Sequence, residues 1–293
     1  MIDRSLPRRV FNDFNIVVFI LYCIVCLVPL IHILAISFSA SASVSAGKVT
    51  VWPVDFTLKS YEYVIAKKEF WRGLRISGIR VVLGVAVNML LTVLAAFPLS
   101  KTTREFKAKN VFIWFFIFTM LFSGGMIPTY MIVRYTGLLD SIWALIIPGA
   151  VPVFNVILLM NFFKAVPKEL EESAFMDGAG YFTILWKICL PVSLPALATL
   201  TVFSMVGHWN AWFDGMIYMN DSRNYPLQTY LQSILVSTNV KLMTKAQAEL
   251  LRLISDRTLK AAQVFIAAIP ILLVYPFLQR YFVSGLTLGS VKE

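Results

Sequence analysis

Acidic and histidine side chains are scarce in this chain of 293 residues. It holds 16 Asp and Glu, 2 His and 3 Cys, against 26 Lys and Arg. Charged residues make up 14%, where a soluble domain carries about 25%. Six stretches carry no charge at all: 14–47, 81–100, 110–133, 141–163, 188–213 and 261–279, with Asp140 and Asp214 at their edges. Coupling to a proton or sodium gradient leaves carboxylates inside the spans, so a secondary transporter would lack its machinery here. His32 and His208 lie far apart without metal-ligand spacing, and no Ser or Cys stands beside a base in a motif, so a membrane-embedded enzyme would lack a centre. No metal site is expected. There is no G-x-x-x-x-G-K-[ST] loop: Gly47-Lys48 is followed by Val49 and lacks the earlier glycine, which excludes ATP hydrolysis by a P-loop. Cys23 and Cys26 have C-x-x-C spacing but sit in an apolar run, where helix packing outweighs redox chemistry. No basic stripe is interleaved with aromatics, so the net charge of +10 signals topology and a lipid surface, not nucleic acid.

What is present is apolar. Hydrophobic residues make up 58% of the chain and mean hydropathy is +0.75. Each charge-free stretch reaches the roughly 20 residues that cross a hydrocarbon core. Backbone polar groups in lipid must be paired within the segment, and the alternation of barrel strands is absent, so the spans are helices. The expected fold is all-α: a polytopic membrane protein with six transmembrane helices, in one domain over 1–293, with spans at about 14–38, 76–100, 110–133, 141–163, 188–213 and 261–282. Short-loop cations set orientation. Arg4, Arg8 and Arg9 precede the first span, Lys101, Arg104, Lys107 and Lys109 fill the second loop, and Lys164, Lys168 and Lys187 fall in the fourth. Those segments, and with them both termini, are placed in the cytoplasm, and 40–72 and 215–258 outside.

One hydrophilic segment breaks the pattern. Glu169, Glu171, Glu172 and Asp177 form the densest acidic cluster, between the fourth and fifth spans. Pro167 suits a first helical turn, the acids suit the positive end of the dipole, and Gly178 suits the end. The spacing predicts a short amphipathic helix over about 167–177 that projects into water. A membrane protein with no gradient-coupling site, no nucleotide site and a projecting acidic helix draws its energy from a partner.

The same residues carry a family resemblance. Glu172-Ser173-Ala174, Gly178 four positions after Ala174, then Ile188 and Leu190-Pro191 resemble the EAA loop of binding-protein-dependent ABC importer permeases, with Ser173 in place of the usual middle Ala. The run Gln279–Thr287 is similar to the ends of maltose-type carbohydrate permeases. The resemblance implies a multi-pass subunit of the bacterial inner membrane that pairs with a second permease subunit. It implies two cytoplasmic ATPase subunits, an extracytoplasmic solute-binding protein, and an oligosaccharide or polysaccharide cargo, with alginate-type acidic saccharides among the candidates. ATP and magnesium would then belong to the ATPase, and this chain would bind no cofactor and catalyse no reaction. Glu171, Glu172, Ser173, Ala174, Asp177 and Gly178 would form the coupling helix, its small residues entering a partner groove and its carboxylates meeting basic groups at the rim.

The substrate path is less sharply marked. Asn88, Asn155, His208, Asn210 and Gln263 are polar residues within spans, and each is expensive to expose to lipid. Asn155, His208, Trp209 and Asn210 are the expected path residues, since aromatic faces beside amides suit sugars. An interfacial belt of Trp212, Phe213 and Tyr218 is the competing reading of that cluster. Ser123 to Pro128 should kink the third span.

Overall fold

The two longest helices run through single prolines, Pro29 and Pro98, and the chain breaks where Gly and Pro cluster. The computed structural model describes residues 6–236, 257–270, 272–273 and 276. All regular elements among them are helical, with one isolated antiparallel bridge between Ser39 and Phe56. The chain is all-α, as its composition implies. Two compact units divide it: residues up to Lys68 with Ser233–Ile269, and Glu69–Gln232 with the segment from Pro270.

In the first unit, helix α1 (Leu6–Ser37) carries no charge from Phe14 onward, and Val10–Leu34 leaves its apolar side chains exposed or half-exposed, while Ala35 and Ser37 at its end are buried. A helix of that kind faces lipid or another helix. Beyond it the chain folds back on itself through short polar contacts. Ser43 Oγ donates to Asp55 Oδ2 at 2.5 Å, Ser37 Oγ lies 2.8 Å from the Tyr61 hydroxyl, and Val54 N donates to Ser39 Oγ at 2.9 Å. Ala35, Val44 and Val49 fill a small core beneath them. Residues 257–270 are helical, with Ala262 and Gln263 buried.

The second unit is built on α2 (Lys68–Ser100), longer than the 76–100 expected. The next three expected spans are helical but broken. The run 110–133 divides into α3 (Lys109–Leu121) and α4 (Met126–Tyr135), bent by 114°. Gly125 sits between them at φ +88°, which an L side chain adopts only with strain. The fourth run, 141–163, opens as two 3-10 turns, Ile142–Leu145 and Ile147–Gly149, before α5 (Val153–Lys164), with a 51° bend. Pro148 and Pro152 bracket that bend and supply no backbone donor. The fifth starts seven residues early as α7 (Tyr181–Val192), which contains a π turn over Leu185–Cys189. It turns by 82° at Ser193, between Pro191 and Pro195, and continues as α8 (Leu194–Asn210), which stops before 213. Among the described residues, two helices are long and apolar enough to cross a membrane unbroken, or up to five spans if each bent pair is one. Of the sixth expected span, 261–270, 272–273 and 276 are described and helical; the rest of it and the Gln279–Thr287 run lie outside the described residues.

Between α5 and α7 comes the acidic segment, where α6 (Lys168–Met176) matches the expected 167–177 closely. One core joins these elements. Ala96 and Phe97 of α2, Val156 and Leu159 of α5, Ile184 and Cys189 of α7, and Leu200 of α8 are all buried within it. A second cluster packs Val133, Leu145, Tyr218 and Met219 beside α9 (Phe213–Tyr218). Helices α2 and α8 approach closely where Gly84 faces the His208 ring. A Cβ on Gly84 would stand 2.4 Å from His208 Nε2. Gly84→Ala is therefore expected to cost about 1–3 kcal/mol, as overpacking does. Thermal unfolding of the detergent-solubilised protein reads this, and Gly84→Ala with His208→Ala should recover most of the loss. A single-variant loss under about 0.5 kcal/mol would mean the ring swings away freely.

Candidate functional site

Two features stand out, a surface at α6 and a cavity inside the second unit. Pro167 is the N-cap of α6, and Glu169 and Glu171 lie in its first turn, where the dipole favours carboxylates. The helix ends in a Schellman arrangement. Gly178 N donates to Phe175 O at 3.0 Å, Ala179 N donates to Ala174 O at 2.9 Å, and Gly178 takes φ +80°. A side chain on Gly178 would meet nothing within 4 Å, so glycine is required there by backbone conformation alone.

The six coupling residues named from the sequence do not share one face. Glu172, Ser173, Asp177 and Gly178 are exposed. Ala174 is partly buried against the main core. Glu171 was expected to meet a partner's basic groups and instead turns inward: its Oε2 accepts from Lys101 Nζ at 2.5 Å, with side-chain exposures of 16% and 7%. The physical reason is Lys101. A lysine buried at the end of α2 needs a counter-charge, and Glu171 is the carboxylate that reaches it. Its ammonium also lies 4.3 Å from the centroid of Phe97, and Cys189 Sγ reaches Glu171 Oε1 at 3.7 Å. Lys109 donates to the Lys101 carbonyl. Beside this clamp, Thr102 donates through N and Oγ1 to Glu105 at 2.8 and 2.6 Å, and the hydroxyl bond foremost holds that carboxyl below its ordinary pKa. Sequence reasoning passed over the apolar residues of this surface. Met176 is 88% exposed and Phe182 71%, beside exposed Phe175 and Tyr181. Large apolar groups left exposed together mark a contact surface.

The cavity has a volume of about 490 Å³, and its polar lining is Arg80, Asn88, Asn155, Ser204, His208, Asp214 and Tyr218. Asn155 Nδ2 donates to Ser204 Oγ at 3.3 Å, and His208 Nε2 lies 3.3 Å from Asn88 Oδ1. Arg80, 2% exposed, forms a bidentate ion pair with Asp214. Of the four expected path residues, Asn155 and His208 line this cavity. Trp209 and Asn210 do not: Trp209 is buried elsewhere and Asn210 is exposed. The α-helical period explains the split, because consecutive residues of α8 point about 100° apart. Tyr218, assigned to a belt in one reading, lines the cavity too. Arg80 was missed although it falls inside the expected 76–100 span. The available signal was a charge within a span, which must find a partner, together with Asp214 at the edge of another.

Residues 77–288 match the family of binding-protein-dependent transport system inner membrane components. The chain belongs to that family. The permease is 39% identical over 98% of its length to the polygalacturonan/rhamnogalacturonan transport system permease protein YtcP of Bacillus subtilis (strain 168), all of which is covered. It is 41% identical over 97% of its length to Protein LplC of the same organism, covering 95% of that protein. It also superimposes with a TM-score of 0.85, at 34% identity over 96% of this chain and all of the other, on a bacterial ABC transporter chain from a system that imports the acidic polysaccharide alginate. The acidic helix α6 and every residue lining the polar cavity fall within the permease match at 77–288.

Proposed function

We infer that this permease is one of a pair of membrane subunits of an ATP-driven importer of an oligosaccharide or polysaccharide. The observation that carries the coupling role is the surface at α6: a short acidic helix, held by Glu171 on Lys101 and by Ala174 in the core, with Met176 and Phe182 left bare. Exposed apolar side chains on a rigid base suit a partner that moves with ATP hydrolysis, and α6 would pass that movement to α2, α5 and α7 through the shared core. The hydrolysing subunit, with its ATP and magnesium, is a separate chain in this reading. The family description supports a substrate handed over by a binding protein. A saccharide cargo is supported by the transport systems of the relatives and by a cavity walled with amides and hydroxyls. Co-purification tests the coupling role: the tagged permease is expected to bring down a second permease and an ATPase from its native host. Met176→Asp with Phe182→Asp should remove the ATPase and keep the second permease. Retention of the ATPase by that double variant would move the docking surface elsewhere.

The orientation follows from the short-loop cations and places α6 in the cytoplasm. Exposed Ala66 reports the external segment, and exposed Lys107 reports the internal loop. In a background without Cys23, Cys26 and Cys189, Ala66→Cys should react with an impermeant thiol reagent added to intact cells, and Lys107→Cys should not. The reversed pattern would put α6 outside. The termini themselves, 1–5 and 277–293, lie outside the described residues.

A further inference from the structure

The Arg80–Asp214 pair is fixed unequally at its two ends. Besides Asp214, the Arg80 guanidinium donates to the Ala211 carbonyl at 3.2 Å and the Leu145 carbonyl at 3.4 Å. Both oxygens close broken helical segments, α8 and the turn Ile142–Leu145, where the last carbonyls have no intrahelical donor. They hold the guanidinium at the cavity wall whatever Asp214 does. Asp214 is the looser partner: its side chain is 27% exposed, and its Oδ1 is shared with the Gly215 amide at 2.8 Å. Arg80 Nε is buried with no partner, so one donor remains to spare. The remaining polar wall is neutral in formal charge, and among the described residues lining the cavity Asp214 is the one carboxylate.

We propose that this cavity is a site for a carboxylated saccharide, in which a uronate carboxylate of the substrate takes the place of Asp214 on Arg80. The proposal deepens the reading of the cavity as a saccharide path and rests on it. A guanidinium matches a carboxylate through two parallel hydrogen bonds, so either carboxylate satisfies it. Between substrates, Asp214 keeps the buried cation paired, which avoids the heavy cost of a bare charge. On exchange, Asp214 retains the Gly215 amide and its exposed edge, while Asn88, Asn155, Ser204 and His208 face the sugar hydroxyls. A neutral sugar offers no replacement for Asp214 and leaves the pair closed. Arg80 and Asp214 are thus specificity-determining residues for acidic over neutral chains.

The full transporter complex in detergent, titrated calorimetrically with galacturonate trisaccharide and with its fully methyl-esterified form, tests this. The wild-type complex should bind the free acid at least about tenfold more tightly. Asp214→Asn, which removes the competing carboxylate, should tighten free-acid binding by about three- to tenfold and leave the ester within about twofold. Gly149 lines the same cavity with nothing within 4 Å of a built Cβ, so Gly149→Asp adds a second carboxylate without a clash. It should weaken free-acid binding about tenfold and spare the ester, and it carries the test should Asp214→Asn fail to assemble. Equal wild-type affinity for acid and ester, or equal weakening of both by either variant, overturns the proposal. A wild-type complex that imports saccharides without preferring the acid sinks this proposal alone. One that binds and imports neither form sinks the saccharide reading as well.

Discussion

Gly178→Trp is expected to leave the permease inserted and assembled while lowering ATP-driven uptake at least about tenfold. The argument separates two effects. At φ +80° any L side chain is strained by about 1–2 kcal/mol, which loosens the end of α6 without unfolding a membrane protein held by lipid and by its main core. The indole itself would project into open space, since nothing lies within 4 Å of a Cβ there. A defect in transport therefore arises where another chain would sit. Gly178→Ala separates the contributions: it carries the backbone strain with little bulk and should keep most of the uptake. Basal ATP hydrolysis should persist in both. Wild-type uptake by the Trp variant in an assembled complex would remove α6 from the coupling surface.

The largest stability effect is expected at Arg80. Arg80→Ala leaves the carbonyls of Leu145 and Ala211 without their donor, at about 1–3 kcal/mol for each buried group left unsatisfied, and leaves Asp214 with only the Gly215 amide and its exposed edge. Yield from the membrane and thermal unfolding in detergent should both fall sharply. Adding Asp214→Ala to that variant should restore part of the loss, because the unpaired charge is then gone. The two carbonyls remain unsatisfied, so recovery stays incomplete. Additive losses in the double variant would mean that the two side chains do not interact.

Local chemistry was legible in the sequence. Pro167 and Gly178 marked α6 to within a residue, because caps act through their own backbone. Charge-free length marked the apolar runs for the same kind of reason, since lipid penalises each charge where it stands. The breaks were read at one site of three. Ser123 to Pro128 was recognised, whereas Pro148–Pro152 and Pro191–Pro195 were passed over inside runs whose hydropathy alone reported continuity. Partners distant in sequence were not legible. Arg80 finds Asp214 across 134 positions, and Lys101 finds Glu171 across 70. Arg80 was not singled out and Asp214 was noted only at the edge of a span, while Lys101 was read as a topology signal and Glu171 as a residue meant for another protein. The helical period, once α8 had a defined start, would have separated His208 from Trp209 and Asn210.

Uptake of labelled galacturonate oligosaccharide into proteoliposomes, with this permease, its partner permease, the ATPase and the binding protein all present, tests the central claim most directly. The account predicts uptake that requires ATP hydrolysis and the binding protein, and that continues when ionophores collapse the proton and sodium gradients. Uptake that persists without ATP and stops with the ionophores would contradict it.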